Sequence, residues 1–590
     1  MSTSHKAWLF GAAGAALIGC FFAASIFESR TKSPVFDEPA HIAAGLSYLE
    51  TGIFRVNNQH PPLLKEMSAL ALRLDGIRWP KDAFTDALLH GDPEQVHGLE
   101  WPVGNAIIAK NNPDIVLLSA RLPFVLLSSM LGFLIYFWGR QLVGPLAALG
   151  AVFLYVLDPT VLAHSFLVTM DAGFAAFTIL FFFALWNYLR YPNWRRLLAC
   201  GLALGGVLGT KFAALLLLPV AAVLLAAAVF WAVEHSPKRQ PTYLDPYVFG
   251  TAPNDLCPCG SGKRFKRCHA DNKNPTPVFR STSMRMVACG CALLLMGVVA
   301  VGVIQLLYFS PTGPSLYIDG LRRVNADHDP NHRAFMAGQF APRFTSYFVF
   351  SYLLKEPLAS IVFVCVGLIV VMRSERFRPI NKLFLLLPPL VLFAGHTIWA
   401  DNLGIRYVIP ALPFLYLIGG VGLAALIQHA AKSVRVLAVM LCAWILVTTA
   451  AIYPDHLSYF NEAACLFTRP NYIGFDGGTR CGPLWFDDSN VDWGQGLKQL
   501  KVWLDAHARG QRVLLDAFTG FPPAGYGLPE ENFDVDDFVK NRNVRPGLYV
   551  ISAQSLTRVL ASLGMNSWLL DTAPTAIVGH ALYVYDIPAK

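Results

Sequence analysis

Charge is what this chain most conspicuously lacks. Only 15% of its 590 residues are Asp, Glu, Lys or Arg, against about 25% in soluble domains, too little to clothe a water-soluble globule. Cysteine is equally thin, 11 in 590, too dilute for a disulfide-built scaffold. No long internal repeat is present, so solenoids and fibres are excluded. With 54% hydrophobic residues and a mean hydropathy of +0.45, disorder is excluded as well. What the sequence does have is a series of apolar runs, many approaching the roughly 17–25 residues that cross a bilayer. It reads as an α-helical polytopic membrane protein.

Eleven apolar runs are expected to span: Trp8–Phe27, Leu122–Trp138, Val143–Leu157, Gly173–Leu189, Leu197–Gly209, Ala213–Val233, Val287–Phe309, Ala359–Val371, Leu383–Ala400, Val408–Ile427 and Val436–Ile452. The first exceeds the usual apolar core of a cleaved signal and reads as an anchor. Residues 1–233 form the first membrane part, including a polar loop at 28–114. A basic insertion covers 234–285, a second membrane part 286–452, and a tail 453–590. Arg140, Arg190, Arg195, Arg196, Lys238, Arg239, Lys263, Arg264, Lys266, Arg267, Arg373, Arg376, Arg378, Lys382, Lys432 and Arg435 then fall on one face, which positive-inside makes cytoplasmic. The N-terminus is therefore expected in the cytoplasm and the C-terminus outside it, in a bacterial inner membrane. The net charge of +8 is explained by those loops, and no specific nucleic-acid binding is expected. The tail is the size of one small domain. An amphipathic stretch at Leu497–Ala506 and β-rich runs at Arg512–Leu515, Gly547–Ser552 and Ala581–Tyr585 suggest an α/β or α+β fold.

Ionisable residues gather where the apolar runs end. Phe36-Asp37-Glu38-Pro39-Ala40-His41 places two carboxylates and a histidine just beyond the first run. Asp37 is placed to cap a helix with Pro39 in its early turn, and also to take a proton from a hydroxyl nucleophile. His60-Pro61-Pro62 precedes an amphipathic helix, Leu63–Leu74, that carries Lys65 and suits the membrane surface. Asp171 opens an apolar run at bilayer depth, either as an N-cap or as a functional group. Arg121, Lys211, Lys355 and Arg406-Tyr407 are cations at the outer boundary, against the positive-inside trend. They suit a lipid phosphate whose charge grows as it leaves, or simple snorkelling.

In this order, Asp37-Glu38-Pro39-Ala40-His41, His60-Pro61-Pro62-Leu63, Asp171 and Arg406-Tyr407 resemble the bacterial GT-C glycosyltransferases. The likeness is to the protein O-mannosyltransferase and aminoarabinose-transferase type (glycosyltransferase family 39 and kin). Tyr459-Phe460-Asn461-Glu462 and Asp488-Ser489-Asn490-Val491-Asp492-Trp493-Gly494-Gln495 resemble the outer tail of a bacterial subgroup. The resemblance implies a GT-C fold and an inverting transfer, metal-independent or weakly metal-dependent. A sugar would move from a polyprenyl-phosphate donor to a hydroxyl on a protein, lipid or glycan. Asp37 would be the base, Glu38 and Asp171 would shape the catalytic pocket, and His60, Lys65, Arg121, Lys211, Lys355, Arg406 and Tyr407 would face donor phosphate and substrate. His60 in place of the lysine common in aminoarabinose transferases favours a neutral hexose such as mannose. The rival readings are a transporter or flippase for a lipid-linked sugar, and a non-catalytic assembly or secretion factor.

A separate set lies in the insertion. Cys257, Cys259, Cys268 and His269 supply three thiolates and an imidazole at the spacing of a tetrahedral structural zinc knuckle, and the stretch resembles the SEC-C motif. Reduced thiols suit a cytoplasmic loop. The surrounding basic residues suggest an acidic partner, a cytoplasmic protein, the ribosome or anionic lipid. Cys465 and Cys481 share the tail and are placed to form a disulfide; the remaining cysteines lie in apolar runs and read as small apolar residues.

Overall fold

The structure is a computed structural model that describes residues 3–92, 98–231, 254, 264, 282–326, 332–466, 472–508, 510–541, 545–564 and 567–588. Each of the eleven apolar runs is mainly helical over its described residues, but they do not all have the length of a span. Among the described residues seven helices are long and apolar enough to cross by themselves, beginning with Trp8–Thr31 and Pro113–Leu142 and ending with Lys432–Ile452. Leu358–Arg373 joins Tyr347–Lys355 at a 114° bend. Pro145–Val156 has 12 residues and Trp194–Leu208 has 15, about 18 and 23 Å at 1.5 Å per residue, short of a hydrocarbon core of about 30 Å. The expectation of eleven full spans is corrected accordingly: by length and composition the described residues hold seven, or eight with the bent pair. The reason is visible in the chain. The shorter helices stop at Asp158 and Lys211, polar residues that the structure buries at helix breaks. Irregular backbone at such depth is tolerated where protein covers it.

The helix Ile405–Ile427 is the most enclosed span, 83% buried, whereas Thr282–Leu307 and Lys432–Ile452 are only 28% buried and present Leu294, Val298, Val439 and Met440 outward. Pro113–Leu142 packs against the first helix and against Pro145–Val156 and Met170–Arg190. Arg140, Arg376 and Arg378 line one polar cavity of about 400 Å³, so two of the basic loops meet at one end of the bundle. Arg121 lies 19 residues before Arg140 on the same helix, about 28 Å away, at the end that carries Asp37.

At that end the loop 28–114 is mostly helical. Glu38–Thr51 starts directly after Asp37, carries Pro39 in its first turn and ends at Gly52. Two close approaches hold it in place. A Cβ on Gly45 would overlap the Lys65 carbonyl of the Leu63–Leu74 helix, and one on Gly104 would overlap the Pro39 carbonyl. Leu63–Leu74 forms where expected, buries Leu64, Lys65 and Leu72, and leaves Leu70 and Leu74 exposed, an apolar edge suited to a membrane surface.

The tail contains a four-stranded sheet. β3 (Val513–Asp516) runs parallel to β4 (Gly547–Ser552), which pairs antiparallel with β6 (Leu582–Ile587), and β5 (Ala576–Val578) closes the edge, giving the order β3-β4-β6-β5. The short β1 (Ala334–Met336) and β2 (Gln339–Ala341) form a hairpin elsewhere. Leu514, Phe538, Tyr549, Ile551, Leu556 and Tyr585 make the tail's own core. β5 was missed in the sequence because its three residues carry no readable alternation. Cys465 and Cys481 are joined in a disulfide, Cα to Cα 5.3 Å. The tail is clamped to the exit of the first helix: Lys32 and Gln499 both donate to Asp455, and His580 Nδ1 donates to the other Asp455 oxygen at 3.0 Å.

Candidate active site

The fold brings Asp37, Asp171, Lys211 and Arg406, up to 369 residues apart, into two ion pairs. Arg406 Nη1 donates to Asp37 Oδ2 at 2.8 Å, and Lys211 Nζ to Asp171 Oδ1 at 2.7 Å. Asp37 occupies the N-cap position but its side chain makes no capping bond; its carboxylate turns to Arg406 instead and stays 24% exposed. Nor is Asp171 a cap, since Thr169 holds that position and Asp171 lies in the first helical turn. Capping therefore explains neither carboxylate. Lys211 Nζ also lies 4.3 Å from the Tyr407 ring centroid, and the Arg406 guanidinium lies 4.3 Å over Trp493.

Other charged residues have a different place. Glu38 is fully buried and accepts from Arg121 Nε and Nη2, at 2.8 and 2.6 Å, and from the backbone N–H groups of Val35 and Val168. Arg121 directs its remaining donors to the carbonyls of Ser29, Lys32 and Ser33. Its five N–H groups are thus engaged. Lys65 Nζ, also fully buried, donates to the carbonyls of Asn57 and His60, and Lys355 Nζ to those of Leu457 and Asn490 at 2.6 and 2.5 Å. The expectation that Arg121, Lys65 and Lys355 face a donor phosphate is corrected: each stitches backbone segments together. Glu38, expected to be catalytic, is a brace. Sequence showed the charge but not the carbonyls that fold back onto it.

Beside Lys211 opens a cavity of about 430 Å³. Its walls are apolar (Leu215, Leu216, Pro219, Leu321, Val324, Trp399), and His60, Lys211, His396 and Tyr407 bring polar groups to it. His396 Nδ1 is hydrogen-bonded to the Leu392 carbonyl, but its buried Nε2 has no hydrogen-bond partner among the described residues. Arg406 Nε and His164 Nδ1 are orphaned in the same way. Buried polar atoms without partners are costly, and here three of them surround the two ion pairs. His396 was missed in the sequence, although a lone histidine in an apolar run is the signal that would have found it.

In the loop 28–114, burial and Lys65 hold the His41 imidazole down at about 4, while burial and Lys211 hold His60 well below its ordinary value. Both rings are neutral at pH 7. Burial likewise lowers the Lys65 ammonium to about 7. His41 Nδ1 bonds the Val168 carbonyl at 2.6 Å, and its ring lies 6.0 Å from that of His60. Fixed positive charge near the cavity thus comes from Lys211 and Arg406, with the histidines as neutral hydrogen-bonding groups.

Among the described residues no group of three or more His, Cys, Asp or Glu is arranged to hold a metal ion. The expected zinc ligands Cys257, Cys259, Cys268 and His269 lie outside the described residues.

Residues 109–244 match the family described as dolichyl-phosphate-mannose-protein mannosyltransferase, and residues 254–271 match the SEC-C motif. Among solved structures the chain is similar to ArnT from Cupriavidus metallidurans in the apo state, at 13% identity over 99% of this chain and 98% of that one, TM-score 0.46. The undecaprenyl-phosphate-bound form of ArnT gives 13% identity, 100% and 99% coverage and the same TM-score. The oligosaccharyltransferase AglB from Archaeoglobus fulgidus, in complex with an inhibitory peptide and a dolichol-phosphate, matches at 12% identity over 76% of this chain and 56% of that one, TM-score 0.42. The chain is thus a multi-pass membrane protein in which residues 109–244 are similar to the dolichyl-phosphate-mannose-protein mannosyltransferases and residues 254–271 carry a SEC-C motif.

Proposed function

We propose that the protein transfers a hexose such as mannose, with inversion, from a polyprenyl-phosphate donor to a hydroxyl of a protein, lipid or glycan on the outer face of a bacterial inner membrane. The observation that carries this is an apolar-walled cavity ending at Lys211 and Tyr407, with the Asp37–Arg406 pair beside it. An isoprenoid tail suits the walls, and a phosphate suits the Lys211 ammonium at their end. In the transfer, an acceptor oxygen bonds to the anomeric carbon as the bond from that carbon to the phosphate oxygen breaks. The acceptor proton passes to the Asp37 carboxylate, and the polyprenyl phosphate leaves with the bonding electrons. A phosphate is a good leaving group, so one base and a cationic clamp suffice. Arg406 orients Asp37 and adds positive charge, while Asp171 fixes Lys211.

The basic loops support a cytoplasmic N-terminus and an outer tail. For the insertion we propose a structural zinc held by Cys257, Cys259, Cys268 and His269, a donor set that fits tetrahedral zinc, with the basic filler docking on an acidic cytoplasmic protein, the ribosome or anionic lipid. Metal analysis of the full chain against Cys257→Ser, with binding to ribosomes and anionic vesicles, tests both parts.

The transfer reading is tested with purified protein, radiolabelled undecaprenyl-phosphate mannose and membrane extract. Wild type is expected to move label onto protein, lipid or glycan, and Asp37→Asn is not. A flippase would instead carry the labelled lipid across vesicles equally well with Asp37→Asn, and that result overturns the proposal.

A further inference from the structure

The tail loop Asp488–Gln495 reaches both members of the Asp37–Arg406 pair. The Trp493 ring, 2% exposed, lies under the Arg406 guanidinium at 4.3 Å. The Trp493 carbonyl accepts the Phe36 N–H at 2.8 Å, one residue before Asp37. Asn490 Oδ1 accepts the Ile405 N–H at 3.0 Å, one residue before Arg406. Ser489 Oγ donates to the Leu403 carbonyl at 2.5 Å, and Ser33 Oγ donates to the Gly494 carbonyl at 2.8 Å. One eight-residue loop thus grips the backbone immediately upstream of each charged partner and stacks on one of them. Its shape requires unusual backbone: Asp488 and Gly494 both have positive φ, 54° and 91°.

We infer that Trp493 is a positioning residue for the Arg406–Asp37 pair, so that the tail domain is a working part of the active site. An indole under a buried guanidinium fixes its plane, because the cation is attracted to the ring face and its edge stays free for in-plane hydrogen bonds. Here Nη1 donates to Asp37, and the buried Nε has no hydrogen-bond partner among the described residues. Loss of the ring frees Arg406 to swing, and Asp37 loses the group that orients it toward an acceptor hydroxyl. The lipid-phosphate cavity is lined by other residues, so donor binding does not depend on Trp493.

This inference rests on the reading of Asp37 as the base, and the test separates the two. Transfer from undecaprenyl-phosphate mannose is measured for wild type, Asp37→Asn, Trp493→Leu, Trp493→Tyr and Asn490→Ala. Protection of Arg406 from phenylglyoxal is followed by peptide mass spectrometry on the same full-length proteins. Trp493→Leu is expected to lower kcat at least ten-fold with less than two-fold change in KM for the donor, and to expose Arg406 to modification. Trp493→Tyr is expected to restore most of kcat, and Asn490→Ala to give an intermediate loss of kcat per folded molecule together with a lowered melting temperature, since its buried amide also bonds Tyr347 and Asp487. Unaltered kcat and unaltered Arg406 protection in Trp493→Leu overturn the inference, as does a loss that an aromatic replacement leaves unrescued. Wild type no more active than Asp37→Asn instead overturns the reading of Asp37, and Arg406 protection then decides the positioning role alone.

Discussion

Glu38 and Asp37 are neighbours in sequence with opposite situations. Glu38 receives four hydrogen bonds in a site without solvent, whereas the Asp37 carboxylate has one hydrogen-bond partner among the described residues and an open side. Removing one partner of a buried pair costs about 3–5 kcal/mol, so Arg121→Ala is expected to lower the melting temperature sharply or prevent folding. Lys211→Gln leaves Asp171 without its cation but changes the cavity little. It is expected to weaken binding of undecaprenyl phosphate roughly ten-fold, equivalent to about 1.4 kcal/mol, and also to lower the melting temperature, because Asp171 loses the cation of a buried pair; ligand titration on the folded fraction with parallel melting curves checks both. Sequence reading found every one of these charges but assigned Arg121, Lys65 and Lys355 to a phosphate. Which cation is saturated depends on where backbone carbonyls return in space, and no spacing rule carries that. Asp37, Asp171, Lys211 and Arg406 were legible because each stands at the end of an apolar run, where charge is expensive.

Among the elements, the Glu38–Thr51 helix is located by close backbone approaches and by the residues at its start. Gly104→Ala places a Cβ against the Pro39 carbonyl, backbone that cannot yield without moving Asp37, so this substitution is expected to reduce both folding yield and transfer. Transfer per folded molecule, from the monodisperse fraction in size-exclusion chromatography, separates the two effects. The Lys32–Asp455–His580 clamp is the corresponding device for the tail. Hydrogen bonds to Asp455 and Asp476 raise His580 to about 9 despite its burial. Since the native state holds this proton more tightly than the unfolded chain, its stabilisation is full below about 6.5 and disappears as pH rises through about 9. His580→Gln is therefore expected to destabilise the protein at pH 6 and to differ little from wild type at pH 10, as melting curves at the two pH values can show. His41 has the opposite sign. Its value near 4 gives stability present above about 6.5 and lost as pH falls toward 4. Helix positions were read well from hydropathy, including Leu63–Leu74. Helix lengths were not, because the breaks at Asp158 and Lys211 depend on surrounding protein to cover their backbone.

At the scale of the whole molecule, the loop 28–114, the ends of several spans and the C-terminal tail converge on one small region. The bundle supplies the apolar cavity, the loop supplies Asp37 and His60, and the tail supplies Trp493 and the clamp at Asp455. The sequence indicated a membrane part followed by a tail with β-rich runs, and a four-stranded sheet does follow the last long apolar helix. It did not show that the tail reaches back to Phe36 and Ile405, because contacts between residues so far apart in the chain leave no local pattern.

In the proposed transfer Asp37 acts on the acceptor while the cavity beside Lys211 holds the donor. Its most direct test is a single-turnover measurement on protein preloaded with radiolabelled undecaprenyl-phosphate mannose, in which donor binding and the transfer step are read separately. For Asp37→Asn the account predicts donor binding within two-fold of wild type and a transfer step slower by about 10²–10⁴, the range of a positioned general base. Transfer at the wild-type rate, or a loss of donor binding equal to the loss of transfer, would contradict it.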